Sequence, residues 1–237
     1  MPYSITGRGG IMGAWGARDT RIFRDRADAG RQLAERLPHL REAEPVVLAL
    51  PRGGVPVGYE IARELGAPLD VFLVRKIGAP GHRELGIGAI AQSGIRIFNE
   101  TAIRMLGLSW ADIDEIVREE EQELQRRLLR FRGDRPLPDL TGRTVVLVDD
   151  GLATGVTALA AIRALRQLGP AHIILAVPVC AAETARTMRA EVDDLVCVHS
   201  PEDFLAVGFR YQDFDQTTDE EVIDLLTRAA LQDGPQS

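Results

Sequence analysis

Asp149 and Asp150 stand side by side directly after four apolar residues, Val145, Val146, Leu147 and Val148. Such a run reads as a strand buried on both faces, as parallel sheets require. The two carboxylates therefore fall where that strand ends. Gly151 and then a set of small residues, Ala153, Thr154, Gly155, Val156 and Thr157, lead into a helical stretch over residues 158–168. A turn at a helix start gathers unpaired backbone N–H groups and short hydroxyls around one point, which makes an anion site. Two acids beside such a cradle suit a sugar phosphate: amides hold the phosphate and carboxylates accept hydrogen bonds from ribose hydroxyls.

A second cluster ends the strand expected over residues 45–50. There Pro51, Arg52, Gly53 and Gly54 lie at the edge where open α/β sheets bind ligands. The two glycines let the backbone approach an anion, and Arg52 adds a fixed positive charge. Lys76 is the only lysine among 28 basic residues, so its position calls for a compact ammonium. It opens a glycine-rich segment in which Gly78, Gly81, Gly86 and Gly88 read as hinges. Arg75, His82 and Arg83 lie in the same segment, with Glu84 among them, as cationic partners of an anion or as incidental charges of a surface loop.

The elements that position these residues follow from periodicity. A helix is expected over residues 24–40, where Ala27, Leu33, Ala34 and Leu37 recur between charges. Another covers residues 57–65 and stops at Gly66 and Pro68. A second strand is expected over residues 69–74 and a short extended piece over 95–98. Ser109 reads as the N-cap of a long helix to about residue 132, with Ile113, Ile116, Val117, Leu124 and Leu128 on its apolar side. A strand over 173–179, a helix over 181–190, a short strand over 195–198 and an amphipathic helix over 219–231 complete the pattern. Strands alternating with helices imply an α/β fold, a parallel sheet covered on both faces.

The 237 residues suffice for one α/β domain with an appended lobe. An apolar fraction of 45% and a charged fraction of 27% are ordinary for a globular chain. A net charge of −7 argues against nucleic-acid binding, because neutralising phosphates takes a basic surface. No apolar run approaches the ~20 residues of a membrane span, and the N-terminus lacks the apolar core of a signal peptide. Cys180 and Cys197 read as buried reduced thiols rather than a disulfide framework, and the four histidines have no metal-ligand spacing. The chain reads as cytoplasmic. Residues 1–20, rich in Gly and Arg, read as a flexible leader, a start placed too early or an added remnant; residues 232–237 read as a tail.

The apolar strand, the acid pair and the Ala-Thr-Gly-Val-Thr turn of residues 153–157 together resemble the phosphoribosyl-diphosphate (PRPP) motif of type I phosphoribosyltransferases. The resemblance implies that Asp149 and Asp150 hold the ribose 2′- and 3′-hydroxyls and that residues 153–157 wrap the 5′-phosphate. It also implies that residues 51–54 form a pyrophosphate loop, in which a non-proline cis peptide is common. Residues 75–86 resemble the family's mobile catalytic loop, placed here over residues 76–94, with Lys76 closing over the pyrophosphate. Mg²⁺ is the implied cofactor, PRPP and a nitrogenous base are the implied small-molecule partners, and a homodimer is expected. The order of segments, from Phe23 through Gly30 to the acid-pair turn, is most similar to bacterial members carrying Pro-Arg-Gly-Gly and Asp-Asp-Gly-Leu-Ala-Thr-Gly.

Residues 201–214 resemble the hood of hypoxanthine-type enzymes, placed here within about 195–218, or else form a plain hydrophobic lobe. By that resemblance Phe204 and Leu205 meet the base and Asp213 faces the magnesium shell. Oxopurine enzymes carry an Asp where this chain has Ala153, and the turn instead resembles adenine phosphoribosyltransferases. Hood and turn therefore point to different purines. The expectation is a single domain over residues 21–231, with a core at about 40–180, that transfers phosphoribosyl to a base. The rivals are a PRPP- or nucleotide-binding regulator and a hydrolase using water as acceptor.

Overall fold

The strand with the acids lies at the centre of a parallel sheet. The computed structural model describes residues 22–232, so the leader and residues 233–237 of the tail lie outside the described residues. The main sheet contains β1 (Val46–Ala49), β2 (Leu69–Val71), β6 (Thr144–Val148), β7 (His172–Val179) and β8 (Asp194–His199), in the order β2-β1-β6-β7-β8. Each neighbouring pair is parallel, so the C-terminal ends of all five strands share one edge. Among the described residues no helix is long and apolar enough to cross a membrane.

Strand side chains alternate between two faces, and the core divides accordingly. Val47, Ala49, Val146, Val148, Ile174 and Ala176 pack on one face with α1 (Arg26–Ala34), α2 (Gly54–Leu65), α4 (Trp110–Arg132) and α7 (Asp219–Gln232). Val46, Leu48, Val145, Leu147, Ile173 and Leu175 pack on the other with α5 (Val156–Gln167) and α6 (Ala182–Met188). The doubly covered parallel sheet anticipated from the strand and helix pattern is thus the observed architecture. Asp25 caps α1, accepting from the Asp28 amide at 2.7 Å. This helix is shorter than expected: a 3₁₀ turn begins at Pro38, whose ring cannot continue the ladder. Ser109 caps α4 as anticipated, whereas α3 (Glu100–Met105), capped by Asn99, has too few residues to show a helical period.

Residues 76–94, expected as a mobile loop, are instead built into a ribbon that runs from residue 74 to residue 98. The ribbon is antiparallel, made of β3 (Val74–Ala79), β4 (His82–Ala91) and β5 (Arg96–Phe98). Pro80 and Gly81, the latter at φ +74°, make its two-residue turn. Gly78 and Gly88 are sites of close cross-strand approach rather than hinges: a Cβ at Gly78 would strike the Arg83 carbonyl, and one at Gly88 would lie 2.5 Å from the Ile97 carbonyl oxygen. The second strand accordingly ends at Val71, and residues 72 and 73 lead into the ribbon.

Candidate functional site

Asp149 and Asp150 follow β6 at the shared C-terminal edge, both half-buried. The Asp150 amide donates to Asp149 Oδ1 at 2.9 Å. Desolvation pushes the Asp149 carboxyl well above its ordinary range, and the neighbouring Asp150 charge pushes the same way. Burial also raises Asp150, but Arg26 opposes it: its Nε lies 2.8 Å from Asp150 Oδ2. The chain then turns along β7. The Leu152 amide donates to the Val179 carbonyl at 2.9 Å, and the Ala181 amide to the Leu152 carbonyl at 3.0 Å. Gly151 has room for no side chain, since a Cβ there would meet Val207 at 2.5 Å.

The small-residue turn opens α5. Gly155, at φ +69°, is its N-cap, and no side chain caps the helix. The first-turn amides thus keep their capacity to bind an anion. A Cβ on Gly155 would meet Met188 at 2.5 Å and Thr184 at 2.8 Å, and the Thr184 hydroxyl donates to the Ala153 carbonyl. Helix α6 therefore props the turn from behind. Ala153, Thr154, Val156 and Thr157 are exposed.

Residues 51–54 pass directly against the acids. The Pro51–Arg52 peptide bond is cis, the geometry that the family resemblance implies for this loop. A Cβ on Gly53 would collide with Asp150 Oδ2, and one on Gly54 would lie 2.7 Å from the Val148 carbonyl oxygen. Glycine at both positions is what lets loop and acid pair meet. Arg52 reaches Asp219 at the start of α7 (3.4 Å), which also holds Arg130 at 3.0 Å.

The ribbon places its two basic residues on opposite faces. Arg75 pairs with Glu120 and, at 3.8 Å, with Glu123, both on α4. Lys76 lies on the other face, its Nζ 3.2 Å from the Glu84 carbonyl oxygen and 3.7 Å from that residue's carboxylate. It lines a cleft of about 580 Å³ whose far wall includes Val156 and Leu159 of α5. Lys76 thus shares a cleft with the first helical residue of the turn, while the acid pair lies outside that lining. At the ribbon tip His82 is exposed and Arg83 pairs with Glu119 at 2.8 Å.

The segment after β8 folds back over the acids. Phe204 is half-buried and packs on a small cluster of Phe23, Ala29, Val179 and Tyr211, whereas Leu205 is 81% exposed. Asp213 is exposed, and its Oδ1 accepts from the Asp215 amide at 3.1 Å. The N-terminal strand segment holds this lobe in place: the Phe23 amide donates to the Arg210 carbonyl at 3.0 Å, and the Gln212 amide to the Phe23 carbonyl at 2.8 Å.

Two contributors escaped the sequence reading. Arg26 lies in the Phe23–Gly30 motif, and that motif was the signal available for it. The Tyr211 hydroxyl donates to the Asp150 carbonyl at 2.6 Å. Nothing local to Tyr211 announces that bond.

A family model described as "Phosphoribosyl transferase domain" matches residues 21–213. A Mycobacterium tuberculosis (strain H37Rv) protein named "Putative phosphoribosyl transferase" is 47% identical over 209 residues, which make up 88% of this chain and 47% of that protein. The chain therefore spans about half the length of this curated relative. The "Bifunctional protein PyrR" of Chloroflexus aurantiacus is 35% identical over 150 residues, 59% of this chain and 72% of that protein. The crystal structure of TT1426 from Thermus thermophilus superposes with a TM-score of 0.78 at 42% identity, covering 87% of this chain and 98% of that one. On the extent of the family match and of the likeness to TT1426, the chain belongs to the phosphoribosyl transferase domain family.

Proposed function

We propose that the protein transfers 5-phosphoribosyl from PRPP to a nitrogen of a purine-like base, releasing pyrophosphate. One observation carries the reading: the acid pair, the uncapped N-terminus of α5 and the glycine loop of residues 51–54 converge on a single edge of the sheet. Asp149 and Asp150 would accept from the ribose hydroxyls, and residues 153–157 would hold the 5′-phosphate through backbone amides and threonine hydroxyls. The base nitrogen attacks C1′ on the face opposite the departing pyrophosphate, so the C1′–O bond breaks as the C1′–N bond forms, with inversion. Positive charge grows on the ribose and negative charge on the leaving group. The protein then contributes positioning and charge stabilisation rather than a nucleophile.

Arg52 and Lys76 are the cations assigned to the leaving group. Each is held by an acid, Asp219 and Glu84 respectively, and exchanges that partner for pyrophosphate on binding. The ribbon carrying Lys76 closes over the site and excludes water. Mg²⁺ suits this arrangement. Among the described residues no three His, Cys, Asp or Glu side chains form a metal cage, and Mg²⁺ is commonly carried by substrate phosphates and water. When bound it would neutralise charge on the pyrophosphate, with exposed Asp213 reaching its water shell. Phe204 and Leu205 flank the base. A cytoplasmic homodimer is the working assembly in this reading.

The test is incubation with PRPP, Mg²⁺ and a panel of purines and other nitrogenous bases, following pyrophosphate release. Base-dependent release is the expected result. Tight PRPP binding without release for any base would instead establish a regulator on the same scaffold.

A further inference from the structure

Arg26 makes three separate contacts beside the acid pair. Its side chain is 12% exposed and that of Asp150 16%. Nε donates to Asp150 Oδ2 at 2.8 Å, Nη1 donates to the Asp215 carbonyl at 2.6 Å, and the guanidinium lies 3.9 Å over the Phe214 ring. Phe214 in turn stacks on Tyr211 with ring centroids 4.9 Å apart, and Tyr211 donates to the Asp150 main-chain carbonyl. One arginine at the start of α1 therefore joins the end of β6 to the hood.

We propose that Arg26 is a positioning residue that locks Asp150 in one orientation and couples it to the hood, leaving Asp149 as the acid with the freer carboxylate for the ribose. This deepens the transferase reading and rests on it. Asp150 commits Oδ2 to Arg26 and keeps Oδ1. Asp149 accepts a single described hydrogen bond, from the Asp150 amide, so most of its acceptor capacity remains. No basic side chain among the described residues forms an ion pair with Asp149. The groups that face Asp150 are Arg26 from α1, Asp149 before it, the Tyr211 hydroxyl from the hood and the backbone at Gly53, where a Cβ would collide with Asp150 Oδ2 and lie 3.2 Å from Arg26 Nε. Lysine could supply the charge but not the geometry. A planar fork reaches a carboxylate and a carbonyl at once while lying flat on an aromatic ring, and an ammonium does not.

The test uses the full chain with ¹³C-carboxyl aspartate, read by NMR across pH, and calorimetric binding of PRPP with Mg²⁺. In Arg26→Gln the Asp150 midpoint should rise by about one pH unit or more, the usual effect of losing an adjacent cation, and PRPP affinity should fall about tenfold or more. Arg26→Lys should keep the midpoint near the parent's yet lose affinity. A folded Arg26→Gln protein whose Asp150 titrates as in the parent would overturn the proposal, as would Arg26→Lys binding PRPP at parental affinity. Should Arg26→Gln fail to fold, Arg26→Gln/Asp150→Asn removes both charges and should recover stability. No recovery would also refute the coupling. If the parent itself does not bind PRPP, the function reading fails, while the carboxyl titration still judges the role of Arg26.

Discussion

Asp149→Asn sets stability against function at a single position. The carboxyl sits half-buried beside a second acid, and the nearest cation is engaged with Asp150. Burial and the Asp150 charge raise its affinity for a proton in the folded protein above the ordinary aspartate value of 3.8. The sign follows. Below about pH 3.8 the acid is neutral folded or unfolded, so folding carries no ionisation penalty. As pH climbs through that value toward the raised folded one, the unfolded chain ionises first, and the folded state loses stability that it does not regain at higher pH. Asparagine removes the penalty while its side-chain oxygen can still accept from the Asp150 amide. Each unit of displacement is worth about 1.4 kcal/mol, and about 1 kcal/mol moves the Tm of a chain this size by ~2–4 °C. The Tm of Asp149→Asn should therefore exceed the parent's at pH 8, with the difference shrinking as pH falls toward the ordinary aspartate value of 3.8. Binding should move the other way, since a charged acceptor for ribose hydroxyls is worth about 1.5–3 kcal/mol, or roughly a 10- to 150-fold weaker Kd. Scanning calorimetry at both pH values and titration with PRPP read the two effects on one variant. A Tm at pH 8 equal to or below the parent's would refute the electrostatic argument, and unchanged PRPP affinity would refute the assignment of the acid.

Gly53→Ala places a methyl against Asp150 Oδ2. Overpacking of this kind costs about 1–3 kcal/mol, and the variant should lose PRPP affinity together with Tm; a parental Tm would show that the loop gives way. Tyr211→Phe removes the donor to the Asp150 carbonyl and should cost about 1–3 kcal/mol, measured by denaturant unfolding at fixed pH. Lys76→Ala should lower kcat and kcat/KM together by about 10²–10³, by analogy with a lost oxyanion-hole donor, with a small change in PRPP affinity; turnover at the parental rate would remove Lys76 from the chemistry. Ribbon residues 78–84 should become protected from protease when PRPP and Mg²⁺ are added, and cleavage at an unchanged rate would argue against closure.

Local sequence carried the parts of this protein that depend on neighbours in the chain. Val145 to Val148 read as a strand covered on both sides, with the acids following its end, and the fold places them so. Gly155 and the flanking small residues marked the uncapped helix start, because few residues other than glycine hold φ +69° without strain. The parallel α/β sheet was legible for the same reason: its strand and helix periods are written residue by residue. The ribbon was less so, since glycines at positions 78 and 88 look like hinges until the partner strand is in place. What tertiary structure alone decided is which distant groups surround the acids. Arg26 lies 124 positions from Asp150 and Tyr211 lies 61 away, separations at which no local period operates. The sequence singled out Lys76 from its neighbour Arg75 by residue type, but only strand alternation turns Arg75 to α4 and Lys76 to the cleft beside Val156. Spacing can announce a strand end, a turn and a pair of acids, but the charges that tune those acids arrive through packing.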